Sequence, residues 1–224
     1  MRVLARIPAA LLLQRLPVIF DVSEALQILR EYDDPRGKLQ HLADNGVVRR
    51  VRRGLYAVAP QYRNSFPLEV LANRIYSPSY ISFEWAMSFH NLIPEQVFAI
   101  SSSAMRNSPY SRTKRFDTCE GVFVYRFISS TVFPIGVRQY DAPFGDRYTA
   151  KFSMAGPEKA LADKVFFLKN LEPDVRNMRT CLIDDLRIER ESLTGLDLTL
   201  LGEIAEAYDS RKVAALARTV ERMQ

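Results

Sequence analysis

The sequence predicts an α+β fold, and three observations predict it. Apolar residues recur at helical spacing in the first 45 positions, switch to strand-like runs near Val47, and mix both patterns after Leu68. Apolar residues make up 47% and charged residues 25%, which suits packed cores and excludes a wholly disordered chain. The 224 residues give room for one large domain or two small ones, and a polar stretch at 60–67 with a proline at each end marks a boundary between 1–60 and 61–224.

Several function classes are set aside by residue supply. Cys119 and Cys181 cannot build a disulfide framework, and neither lies in a Cys/His ligand spacing. With only His41 and His90 available, a histidine-rich metal site is not expected, and no cofactor is. The early apolar run Ile7–Leu13 contains Pro8 and stops at Gln14 and Arg15, too short for a membrane span, and no small-residue cleavage site follows. A cytoplasmic, soluble and reduced protein is the expectation, with no membrane partner.

Charge is unevenly placed. Residues 1–60 hold ten Lys and Arg against six Asp and Glu, whereas 61–224 hold 21 against 20. A basic module joined to a neutral one suggests that the first part meets a polyanion.

The first module follows element by element. Residues 8–16 are good helix formers with Pro8 suited to a first helical position, and Pro17 ends them. Asp21 or Ser23 can cap the next helix, whose Ala25, Leu26 and Leu29 share a face. Asp34 caps a third helix that starts at Pro35 and runs to about Asp44, with Asn45-Gly46 as its left-handed stop. Leu39 and Leu42 point inward there, leaving Arg36, Lys38, Gln40 and His41 outward. Two strand-like runs, VVRRV and LYAVA, then flank Arg52-Arg53-Gly54, a hairpin in which glycine supplies a positive φ. Helix, helix, turn, helix and basic hairpin is the winged form of the helix-turn-helix. The third helix is its natural groove reader, and Arg49, Arg50, Arg52 and Arg53 would sit at the hairpin tip, where guanidinium groups reach phosphate. The plainer reading is a small bundle with a solvated hairpin. Four arginines in five positions after a capped helix favour DNA binding.

The second module mixes α and β signals and ends in a helical part. Helices are expected over LEVLANRIY and, capped by Ser82, over FEWAMSFHNL. Strands are expected at QVFAISSS, on both sides of Cys119-Glu120-Gly121, and at YTAKFSM. Phe123, Tyr125 and Phe127 alternate onto one face. Such a stripe can stack bases, but it is also the plain strand period of a core. Pro157 opens a helix with Glu158 near the positive end of its dipole. Three more helices follow: one from Asp174 (Val175, Met178, Leu182), one capped by Asp197 (Leu198, Leu201, Ile204), and a last one (Val213, Leu216, Ala217, Val220, Met223).

No phosphate loop, dinucleotide fingerprint or GxSxG elbow is present. His90 fits a packed or surface position, and Asp184-Asp185 fits solvent. Glu158 and Lys159 beside a strand invite nuclease chemistry, but their spacing is wrong for a strand-borne acidic pair followed by Glu-x-Lys. No catalytic residues are expected, and the chain does not read as an enzyme.

Four stretches, ADNGVVRRVRRGLYAV, YISFEWAMSFHNLIPE, TKRFDTCEGVFVYRFI and AGPEKALADKVFFL, resemble in that order the AbiEi-type antitoxin family of bacterial abortive-infection toxin–antitoxin systems. The Pro157–Asp163 helix start carries most of the likeness, which spans roughly residues 18–170. Residues 1–17 carry no motif that matches, and 171–224 is generic helix. The resemblance implies a winged module that binds operator DNA and represses its own operon, and a C-terminal antitoxin domain acting against a cognate nucleotidyltransferase toxin. The expected DNA-binding residues are Arg36, Lys38, Gln40, His41, Arg49, Arg50, Arg52 and Arg53. The rival expectation is a winged-helix transcriptional regulator whose 61–224 domain senses a ligand or mediates assembly, without a toxin. A third is a nuclease-like enzyme targeted by the winged module.

Overall fold

A computed structural model of the chain describes residues 9–62, 66–144 and 148–224. The fold is α+β and divides into two compact units. The first comprises Met1–Leu71 with Thr118–Glu120 and Ala142–Ala150, and the second comprises the remainder. The division falls inside a helix, Leu68–Ile75, beyond the 60–67 stretch, of which residues 63–65 lie outside the described residues.

In the first unit, α1 (Ala9–Arg15) is followed by β1 (Ile19–Asp21), α2 (Val22–Ile28), α3 (Pro35–Asp44), β2 (Val48–Arg52) and β3 (Leu55–Val58). The expected first helical position, Pro8, lies outside the described residues. Asp21 caps α2 in a full capping box: its carboxylate accepts from Glu24 N at 2.8 Å, and Glu24 Oε2 accepts from Asp21 N at 2.7 Å. The three strands pair antiparallel in the order β1-β3-β2. β1 escapes sequence reading because three residues are too few to show a period. Leu12, Leu16, Phe20, Ala25, Leu29, Leu39, Leu42, Val48 and Val58 form one buried cluster, so α1, α2 and α3 close over one face of this sheet.

The second unit rests on a six-stranded mixed sheet ordered β6-β7-β5-β4-β9-β8. Its strands are β4 (Ser79–Ile81), β5 (Ile100–Met105), β6 (Lys114–Thr118), β7 (Gly121–Ile128), β8 (Val137–Phe144) and β9 (Tyr148–Ala155), of which one end each of β6, β8 and β9 falls across the division. β4 pairs antiparallel with β5 and parallel with β9, and β5 pairs parallel with β7. The helices are α4 (Leu68–Ile75, astride the division), α5 (Phe83–Phe89), α6 (Pro157–Phe167), α7 (Val175–Thr180), α8 (Arg190–Thr194), α9 (Leu198–Tyr208) and α10 (Arg211–Glu221). α7 widens into a π turn over Cys181–Asp185, which carries the exposed Asp184-Asp185 pair. β4, β8 and α8 were not expected from the sequence. β4 and α8 are too short to show a period, and β8 follows the breaker Pro134 and holds a second, Pro143, near its end. The aromatic stripe is core: Phe123 and Tyr125 are fully buried and Phe127 nearly so.

At the centre of this unit lies a charge. Asp163 on α6 is fully buried, and five side chains converge on its carboxylate. Oδ2 accepts from Tyr80 Oη at 2.9 Å, Ser82 Oγ at 2.7 Å and Ser103 Oγ at 2.7 Å. Oδ1 accepts from Tyr208 Oη at 2.5 Å and lies 3.0 Å from Lys159 Nζ. The lysine's approach is too oblique for a well-formed hydrogen bond, and its ammonium also lies 4.6 Å from the Tyr208 ring centroid. Ser82 holds the N-cap position of α5 as expected but makes no side-chain cap bond, because its hydroxyl is given to Asp163. Glu158 also differs from a solvated helix start. It is 4% exposed, and its Oε1 accepts from Asp197 N at 3.0 Å, joining the beginnings of α6 and α9.

Removing the carboxylate charge strands a buried ammonium. Asp163→Asn should lower the urea-unfolding free energy by about 3–5 kcal/mol, whereas Asp184→Asn on the exposed π turn should stay within about 0.5 kcal/mol. Burial first, then the Asp163 charge, raises the Tyr80 and Tyr208 hydroxyl pKa values in the folded state. Their stabilising share is therefore present below the unfolded tyrosine value of about 10 and is lost above it. Unfolding free energy should decline as pH rises past about 10, and less steeply in Tyr208→Phe.

Candidate nucleic-acid interface

The α3 start is fixed by a side-chain cap. Asp34 Oδ1 accepts from Gly37 N at 2.9 Å, and Pro35 occupies the first turn, where no amide hydrogen is needed. Gly37 suits this place, since a Cβ there would lie 2.2 Å from Asp34 Oδ2. The far end closes as a Schellman motif: Gly46, at φ +65°, donates to Ala43 O at 3.0 Å, and Val47 donates to Leu42 O at 2.9 Å. That geometry delivers the chain directly into β2.

On α3, Leu39 and Leu42 are buried as expected. Arg36 and His41 are exposed. Lys38 is half-buried with its ammonium 5.2 Å from the Tyr32 ring centroid. Gln40 is exposed, but its amide is already engaged, donating from Nε2 to Asp44 Oδ1 at 2.7 Å.

The hairpin arginines do not all sit at the tip, which corrects the sequence expectation. β2 extends to Arg52, so Arg49 and Arg50 lie back along the strand and only Arg52 and Arg53 adjoin the turn, with Gly54 at φ +82°. Side chains alternate across a strand. Arg50 stands opposite Tyr56, which pairs with the core residue Phe20, so Arg50 belongs to the face that carries the three helices. Arg49 stands opposite Ala57 and Ile19, on the other face. Its Nη2 lies 2.6 Å from Glu120 Oε1 of the 118–120 turn that belongs to the same unit, and Arg49 is half-buried there. A register irregularity between Arg50 and Arg52 then places Arg52 opposite Leu55, on Arg49's side. Arg52 Nη1 donates to Arg53 O at 2.8 Å. Arg53 is exposed at the turn. Thus Arg36, Lys38 and Arg50 lie on the helix side, Arg53 at the tip, and Arg49 and Arg52 on the reverse. A strand-parity count on the sequence would have separated Arg49 from Arg50. The bulge at Val51 has no sequence signal.

The other titratable candidates are structural. His90 pairs its Nε2 with Ala155 O at 2.8 Å, and burial, the largest influence, lowers its pKa. Cys119 is exposed, with its thiol pKa raised by partial burial and then by the Glu120 charge, the reverse of what a reactive thiolate needs. Among the described residues no group of three or more His, Cys, Asp or Glu is placed to hold a metal ion, and no helix is long and apolar enough to cross a membrane.

No family model matches the chain, and no curated protein matches it. Among solved structures, a crystal structure of the RV2827C protein from Mycobacterium tuberculosis is similar at 16% identity and a TM-score of 0.48, covering 98% of this chain and 83% of that one.

Because one carboxylate holds the start of α3, Asp34→Ala should cost about 1 kcal/mol of stability in thermal or urea unfolding, while Asp33→Ala, which takes no part in the cap, should cost far less.

Proposed function

We propose that this chain is a DNA-binding transcriptional regulator whose first unit is a winged helix-turn-helix. The observation that carries the reading is the capped α3, bearing exposed Arg36 and half-buried Lys38, followed through the Gly46 turn by a hairpin whose Arg50 faces the helix side and whose Arg53 occupies the tip. α3 enters the major groove in this reading. Arg36 supplies guanidinium donors to base edges, which present acceptors at guanine, and Lys38 supplies an ammonium. Arg50 and Arg53 contact phosphate and set the register of the protein on the duplex without reading sequence. Arg49 and Arg52 have a lesser part, since both guanidiniums are engaged within the protein. Gln40 reads a base only by giving up its bond to Asp44.

Within that function, the resemblance to AbiEi-type antitoxins supports a more specific role. The chain represses its own operon through the first unit and counters a nucleotidyltransferase toxin through the second, without catalysis of its own. Buried Glu158 and Lys159 fit this reading: one holds a backbone amide of α9, the other pairs with Asp163, and neither faces solvent.

The test measures full-length protein on its own promoter DNA and on unrelated duplex across a salt series. Arg50→Ala with Arg53→Ala should weaken both DNAs alike and make the salt slope shallower by about 0.9 per lost contact. Arg36→Ala should narrow the preference for promoter over unrelated duplex, at about 1–3 kcal/mol per lost base contact. Arg49→Ala should change binding less than either. A hairpin double variant that bound promoter DNA as tightly as the parent, with the same slope, would remove the hairpin from the interface. For the antitoxin role, toxin rescue and promoter repression are scored in one strain: the hairpin variant should lose repression and keep rescue.

A further inference from the structure

A second concentration of positive charge lies in the second unit, on the segment 106–115, which comprises the loop that joins β5 to β6 and the first two residues of β6. Arg106, Arg112, Lys114 and Arg115 fall there, and no acidic residue occurs between 106 and 116, although residues 61–224 are otherwise almost balanced. All four cations are exposed. Arg115 is the one with a carboxylate partner among the described residues, Asp117 at 2.8 Å, in an exposed pair of the kind that contributes little.

The loop has a defined internal structure. Ser108 Oγ accepts from Tyr110 N at 3.2 Å, Ser111 N donates to Ser108 O at 3.1 Å, and Ser111 Oγ donates to Asn107 Oδ1 at 3.2 Å. This turn presents the Tyr110 ring to solvent at 86% exposure, while the aromatic residues of the neighbouring β7 are buried. Two of the cations are held in place. Arg106 Nη2 donates to Phe127 O at 3.2 Å, and Lys114 Nζ lies 4.6 Å from the Tyr76 ring centroid. Arg112, two positions after Tyr110, has no partner among the described residues.

An exposed aromatic face on a segment rich in exposed cations, with serine and asparagine beside it in sequence, has the elements of a single-strand site. Every base has a π face that can stack on the ring, while the charges follow the phosphates. Apolar anchors are missing from the exposed part of the loop, which disfavours a lipid surface. We propose that the 106–115 segment binds single-stranded nucleic acid, with a base stacked on Tyr110 and the flanking phosphates against Arg106, Arg112 and Lys114. This site is separate from the α3 and hairpin surface and does not depend on that assignment.

The experiment uses full-length protein carrying Arg50→Ala and Arg53→Ala, so that the hairpin contributes less, titrated with a short fluorescein-labelled oligo(dT) and with phosphatidylserine vesicles. Tyr110→Ala should weaken oligo(dT) binding by about tenfold or more, and Tyr110→Phe should keep it. Arg112→Glu with Lys114→Glu should remove most of the rest. Arg112→Ala alone should make the salt slope shallower by about 0.7. These positions are exposed, and an unchanged unfolding midpoint confirms that the variants are folded. Absence of oligo(dT) binding, binding indifferent to Tyr110→Ala, or capture by vesicles in place of the oligonucleotide would each overturn the proposal.

Discussion

The second unit depends on one buried carboxylate. Asp163 receives hydroxyls from β4, the β4–α5 junction, β5 and α9, and an ammonium from one turn earlier on its own helix. A lone ion in an apolar interior costs several kcal/mol in lost hydration, and that cost is offset only when its lone pairs are filled. Here both oxygens are filled, and the donors come from elements far apart in the chain. The network therefore selects one arrangement of sheet and helices, because any shift of register leaves the ion short of partners. Hydrophobic packing elsewhere in the unit, from Phe123 and Tyr125 on the sheet and Leu161 and Leu201 on the helices, supplies the bulk of the burial but little of that selectivity.

The first unit solves the opposite problem. Its core is small and apolar, so its precision comes from chain ends: a capping box on α2, a carboxylate cap on α3, and a Schellman closure after it. Each device is local in sequence. Together they set the direction of α3 and of the following strand without any buried charge. That arrangement also leaves the cations of this unit largely without long-range partners among the described residues, so their charge is not neutralised within the fold. Arg49 is an exception: its pairing with Glu120 sets it apart from Arg50, one residue away.

Legibility in the sequence follows the same division. Caps and stops at Asp34, Asn45-Gly46, Pro157, Asp174 and Asp197 are written in residues a few positions apart, and the elements they bound could be read directly. The Phe123, Tyr125 and Phe127 alternation likewise declares a buried strand face. Asp163 gave no such sign, because its five partners are scattered between Tyr80 and Tyr208 and only the fold brings them together. Ser82 looked like a cap for the same reason: local competition for its hydroxyl is visible in sequence, and the distant winner is not. Of the candidate interface, the residue types were legible and their sidedness was not, since a bulge at Val51 changes which face Arg52 joins.

That bulge bears on how this surface can vary. A strand has two faces, so every residue inserted or removed between the Gly46 turn and the Gly54 turn exchanges the occupants of both. Point substitutions tune charge at a fixed place. Changes of length act as a parity switch, turning Arg50 away from α3 and bringing its neighbour round instead. Hairpin lengths compatible with one functional face should therefore differ in steps of two, or in single steps accompanied by the gain or loss of a bulge.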